Sequence, residues 1–123
     1  MSQQVDTNTK AFVAAGTIVQ FSRVLLGSGG TVTAAVLADK EIGIAQNAGV
    51  SGDLINVKLR TANGTHKAIA AAAVTRGASV FSAAAGKVSV SAAGAFNLGL
   101  ALEAATANND VIEILYYTPG AVV

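Results

Sequence analysis

His66 is the only histidine in this 123-residue chain, and so the first side chain to consider for acid–base work near neutral pH. It follows Asn63-Gly64, with no neighbouring carboxylate to orient its ring, so an exposed polar residue just beyond a turn is expected there. Asp39 and Glu41 form the one close acid pair. On a single strand they would share a face at roughly 7 Å, a separation that inverting glycosidases use. Lys40 between them and the turn-like setting favour a solvated turn instead. Gly27-Ser28-Gly29-Gly30 has the glycines of a phosphate cradle but no following Lys-Ser/Thr and no helical pattern, and reads as a surface hairpin. Lys58 and Arg60 line up with Asn56 as a polar strand face, solvated by default and suited to an acidic partner surface. Tyr116 and Tyr117 are of a type enriched at interfaces, and one of them can equally close a core. With no cysteine, disulfides, thiolate metal sites and thiol nucleophiles are excluded, and one histidine cannot build a multi-histidine metal site. No nucleophile, base and oxyanion site come together. The expectation is a protein without catalytic residues, cofactor or metal.

The elements that must hold these residues are short. Apolar residues make up 52% of the chain, yet 26 of them are alanine and only six are aromatic, so the core rests on Val, Ile, Leu and Phe. The length suits one domain with a modest core. Charged residues are 12% and the net charge is +1 with no basic block, which leaves no electrostatic footprint for nucleic acid or an anionic membrane. No apolar run approaches the roughly 20 residues of a membrane span.

Thirteen glycines and one proline cut the chain into apolar runs, many alternating with period two. Ile55-Asn56-Val57-Lys58-Leu59-Arg60 and Lys87-Val88-Ser89-Val90-Ser91 are the clearest of about eight strand candidates. The others run over 17–26, 31–37, 41–46, 79–82, 97–103 and 111–117. Asn63-Gly64 reads as a hairpin turn between 54–61 and 65–69. Gly27–Gly30 and Ala84-Ala85-Gly86 also separate strand candidates. The segment Ala68–Arg76 reads as strand, with a short helix capped by Gly77 as the alternative because of its four consecutive alanines.

The chain repeats itself. Ile42-Gly43-Ile44-Ala45 matches Leu98-Gly99-Leu100-Ala101 at an offset of 56, and Ala48 matches Ala104. After one inserted residue, Asp53-Leu54-Ile55-Asn56-Val57 matches Asp110-Val111-Ile112-Glu113-Ile114; upstream, Thr31-Val32-Thr33 aligns with Lys87-Val88-Ser89. Two similar β units that pack face to face or close into one small barrel are expected. The fold class is therefore all-β, a small β-barrel or β-sandwich built from two similar units with at most a short helix. Gly43 and Gly99 mark bulges or close backbone approaches, and Asp53 and Asp110 form turns.

The second half resembles a known family. Gly77-Ala78-Ser79-Val80-Phe81, then Ala83-Ala84-Ala85-Gly86-Lys87-Val88, then Leu98-Gly99-Leu100-Ala101-Leu102-Glu103-Ala104-Ala105, then Asp110-Val111-Ile112-Glu113-Ile114-Leu115 follow the order of motifs in tailed-bacteriophage capsid decoration, or cement, proteins. The first half is compatible through Gly16-Thr17-Ile18-Val19, Gly30-Thr31-Val32-Thr33 and Ile42-Gly43-Ile44-Ala45, so the resemblance spans residues 12–117. Ala78 stands where the family usually has an acidic residue, and 5–12 has no counterpart. The resemblance implies a structural virion protein, made in the host cytoplasm, that binds the outer capsid surface as a homotrimer. Its partners would be the major capsid protein and itself, with no nucleic acid or membrane. Another virion component, such as a head-fibre base or tail-tube-like subunit, and a small β-type ligand-binding domain are the alternatives. Residues 1–11 are read as an amino-terminal arm and 12–123 as a single β domain. The polar arm has an extended reach of roughly 30 Å, enough to cross onto a neighbouring subunit. Candidate capsid or subunit contacts are Val5, Thr7, Thr9, Lys58, Arg60, Tyr116 and Tyr117.

Overall fold

The computed structural model describes residues 8–37 and 39–122, with 117–122 as backbone only. Its strands are β1 (Thr9–Ala14), β2 (Arg23–Leu26), β3 (Thr31–Ala34), β4 (Gly43–Ala45), β5 (Leu54–Leu59), β6 (His66–Ile69), β7 (Ser79–Ser82), β8 (Val88–Ser89), β9 (Phe96–Ala101) and β10 (Val111–Val122). A 3₁₀ turn at Ala84–Gly86 is the one helical element among the described residues. The alanine run forms no helix. Ala68 and Ile69 lie in β6, Ala70 bridges to Val88, and Val74 bridges to Ala105, so backbone partners from other strands override local helix propensity. Residues 9–11, assigned to the arm from sequence, form the first half of β1 and pair with Lys58, Val57 and Asn56.

The two repeats build two β units with the same strand order. In the first, β1-β3-β2-β4-β5 close into a barrel; in the second, β6-β10-β9-β7-β8 curl the same way. The closing contact differs. β1 meets β3 in parallel at Val13↔Thr31 and Ala14↔Val32, whereas β6 meets β8 through a single parallel bridge, Ala70↔Val88. Each repeat thus makes its own five-stranded wall rather than half of a shared one.

The duplication extends through the interior. The first core contains Ala14, Ile18, Val24, Val32, Ala45, Ile55 and Val57. Ala70, Val74, Val80, Val88, Ala101, Ile112 and Ile114 stand at the equivalent positions of the second. These are the inward positions of the alternating strands, since successive side chains in a strand point to opposite faces. The second core also takes in Ile44 from β4, with Phe21 and Tyr116 packed against it, and this joins the two units.

Both Gly43 and Gly99 are fixed by close backbone approach. A Cβ at Gly43 would collide with the Lys58 carbonyl oxygen, and one at Gly99 with that of Leu115. Asp53 and Asp110 close equivalent turns. Asp53 Oδ2 accepts from the Val50 amide at 2.9 Å; Asp110 Oδ2 accepts from the amides of Thr106 at 2.8 Å and Ala107 at 3.2 Å. The Thr106 amide and hydroxyl and the Ala107 amide hold the Asp110 carboxyl below the usual carboxylate range. The Asn63-Gly64 turn departs from its expected role. β5 pairs with β1 and β4, and β6 pairs with β10, so this turn carries the chain from one unit to the other instead of closing a hairpin. Gly27–Gly30 does close one, between β2 and β3.

Gly43→Ala and Gly99→Ala should each destabilise the fold by about 3 kcal/mol, the upper end for overpacking against backbone that cannot yield. Gly16→Ala, where a Cβ meets nothing within 4 Å, should stay within about 0.5 kcal/mol of the parent. Urea unfolding midpoints compare the three.

Candidate functional site

The polar side chains that the fold buries gather at the seam between the units, where the two repeats differ. Arg23 on β2 is fully buried, and its equivalent in β7 is Ser79. Its guanidinium donates to the carbonyls of Lys87 through Nε at 2.8 Å and of Ala83 through Nη2, both from the second unit. Nη2 also reaches the Val36 carbonyl at 3.2 Å, and Nη1 meets Glu41 Oε1 at 3.4 Å. Glu41 is itself buried and takes two more partners: Arg60 Nη1 at 3.6 Å and the Tyr116 hydroxyl, which donates to Oε2 at 2.7 Å. The Arg60 guanidinium lies over the Tyr116 ring at 5.1 Å, and His66 meets that ring edge-on at 4.9 Å. Nearby, Ser82 Oγ donates to the Leu37 carbonyl at 2.6 Å while accepting from the Phe96 amide, and the Gly86 amide donates to the Ala35 carbonyl.

This chemistry is cohesive. The Glu41 carboxylate is engaged by two guanidinium groups and a phenol, so its oxygens are taken up inside the fold. Burial, and then the adjacent Glu41 charge and hydrogen bond, push the Tyr116 hydroxyl well above the ordinary phenol range and keep it protonated. Among the described residues no three His, Asp or Glu side chains are grouped to hold a metal ion. An open groove of about 600 Å³ runs beside the seam, lined by Phe21, Lys58, Thr65, His66, Glu103 and Glu113 among others. Lys58 Nζ donates to the Thr65 carbonyl and the Thr65 hydroxyl to Glu113, so its polar lining is tied together across β5, the crossover and β10.

The candidates read from sequence are dispersed. Thr9 is the β1 partner of Lys58, and Arg60 and Tyr116 meet at the seam. Tyr117 continues β10, and Val5 and Thr7 lie outside the described residues. Two expectations are corrected. His66 is 2% exposed rather than on the surface, because the crossover lays β6 under Tyr116. Asp39 and Glu41 part company: Asp39 Oδ2 accepts from the Val36 amide in a turn, while Glu41 enters the seam instead of sharing its solvated position. The role of Arg23 was missed. Its signal lay in the repeat, as an arginine standing where the other copy has serine, each followed by a valine.

Fold and seam together define a duplicated small β protein, one closed barrel and one curled sheet, whose buried polar groups serve cohesion. The chain belongs to the phage cement protein family, whose model matches residues 2–116, and is a structural protein of a phage capsid. No curated protein matches its sequence. Among solved structures, the N base of the head fibre gp8.5 of bacteriophage phi29 is similar in fold. The TM-score is 0.75 at 14% identity, covering 92% of this chain and 96% of that one.

Arg23→Met removes the donor that ties both units to Glu41 and should cost about 3–5 kcal/mol, as for other broken buried ion pairs. Adding Glu41→Leu should deepen that loss, since Glu41 still holds Arg60 and Tyr116 in the single variant and its removal strands the buried Tyr116 hydroxyl. Chemical denaturation of the single and double variants reads the difference.

Proposed function

We propose that the protein is made in the host cytoplasm, docks on the outer surface of the expanded head as a closed homotrimer, and stabilises the shell by bridging neighbouring major capsid protein subunits. Membership of the cement family across residues 2–116 carries this reading. Two physical features support it. The cores are diluted with alanine, so burial of further apolar surface between copies adds stability a small domain lacks. The surface also keeps apolar side chains exposed on paired strands, with Leu54 66% and its β1 partner Val13 41% accessible. A ligand that binds only the expanded lattice stabilises it by mass action, by about 2.7 kcal/mol at one hundred times its Kd. Three sites per trimer raise attachment further through effective concentration. Val5, Thr7, Thr9, Lys58 and Tyr117 are the contacts proposed, Val5 and Thr7 within an arm that adds to an exposed strand edge of a neighbour.

A second reading follows from the fold likeness to a head-fibre base: the chain would seat a fibre on the head rather than cement the shell. Cryo-electron microscopy of the particle separates the two. Cement density is confined to the shell and bridges capsid subunits; a fibre base continues outward into a stalk.

Deleting residues 2–7, which leaves β1 whole, should weaken binding to expanded heads at least tenfold with little change in thermal midpoint. Co-sedimentation with purified heads measures it, and full binding by the truncated protein removes the arm from the proposal. Light scattering that gives a monomer, together with isolated single copies on the head, removes the trimer.

A further inference from the structure

His66 is buried with half of its hydrogen-bonding capacity unused. Nε2 lies 2.9 Å from the Leu59 carbonyl oxygen, at the end of β5, so the proton belongs on Nε2 and the ring donates to that carbonyl. Nδ1 is then a bare acceptor, and it has no hydrogen-bond partner in the fold. A second proton would sit on Nδ1 and require an acceptor there. The groups around the ring do not supply one. From β5 and the turn after it come Lys58 and Arg60, both cationic; Arg23 of β2 stands behind Glu41. From β10 come Tyr116, whose hydroxyl is committed to Glu41, and Glu113, which accepts from Thr65. Glu41 already serves Arg23, Arg60 and Tyr116. Lys67 follows His66 on β6, and Glu103, which accepts from the Glu113 amide, lines the same open groove as His66, which gives water a route to the ring once the seam relaxes.

We propose that His66 is an acid-sensitive latch: neutral, it locks β6 to β5 and Tyr116 across the seam, and a proton on Nδ1 loosens that contact. Burial, the largest cause, holds its protonation below the ordinary histidine range, with Lys58 acting in the same direction against the opposing Leu59 carbonyl and Glu41. The sign follows. A group whose folded pKa is depressed binds protons more readily in the unfolded chain. Stability from neutral His66 is therefore full above about pH 6.5 and declines as pH falls from there toward the folded value. In that interval the unfolding constant rises by up to about tenfold per pH unit. Ordinary carboxylates titrate lower, so the upper part of this window isolates the ring.

The test uses the full chain, whose single histidine gives one unambiguous set of ring signals in NMR. Between pH 8 and pH 5 the folded ring should show the Nε2–H form and titrate below 6.5. Amide exchange at 114–116, corrected for its intrinsic pH dependence, should speed up over the same range. Urea midpoints of the parent should fall through this window, while those of His66→Gln, which keeps a donor toward Leu59 and does not titrate, should stay flatter. An equal pH slope in His66→Gln overturns the latch. So does a folded ring that titrates at or above 6.5 with unchanged amide exchange, and this measurement on the parent decides the matter if the variant fails to fold.

Discussion

A guanidinium removed from water must find its hydrogen bonds inside the protein, and Arg23 imposes that demand at the centre of this fold. An isolated buried charge costs several kcal/mol, so its partners are structural requirements. They come from three places: the carbonyls of Ala83 and Lys87 in the second unit, the carbonyl of Val36, and the Glu41 carboxylate. Glu41 in turn recruits Tyr116 and Arg60, and Tyr116 supports His66. Two units that would otherwise share a thin apolar contact through Ile44 and Phe21 are thereby held in one arrangement.

The same demand accounts for the unequal closure of the two units. In the first, the hairpin 27–30 is exposed and satisfies itself, with the Gly27 amide donating to the Thr31 carbonyl. The equivalent hairpin of the second makes the matching bond from Ala83 to Lys87 but also leans on the first unit: Arg23 takes its carbonyls, and the Gly86 amide donates to Ala35. A side chain at Gly86 would press on Ser22. A hairpin drawn toward its neighbour is less available to its own barrel, and β8 touches β6 at only one bridge.

Sequence patterning revealed the strands because the inward positions alternate cleanly, as in Ile55/Val57 and Ile112/Ile114, and revealed the repeat because both copies need glycine where β4 and β9 cross a carbonyl. It failed where a local signal had two outcomes. Asn63-Gly64 satisfies a tight turn whether the strands beside it pair with each other or, as here, with β1, β4 and β10. Glu41 and His66 looked solvated because no side chain beside them in the sequence could satisfy them; the partners lie 18 and 75 positions away for Glu41, and at a backbone carbonyl across the crossover turn for His66. Buried polar networks are set by tertiary position, which periodicity does not encode.

The seam also limits what the duplication can build. The contact is head-to-tail: the second unit's hairpin docks on the Ser22, Arg23 and Ala35 face of the first, while the first unit's hairpin remains exposed. Head-to-tail contacts between similar units repeat into rings or filaments unless something stops them. Here the equivalent face of the second unit presents Ala78, Ser79 and Ser91, with Asn97 in place of Glu41. A serine hydroxyl carries one donor on a short stem where the guanidinium carries five, so it cannot span to two hairpin carbonyls and a further loop. The interaction is made once within the chain and lacks its anchor for a second round. Association with other copies or with a capsid must then rely on other surfaces, such as the exposed strand face of Val13 and Leu54.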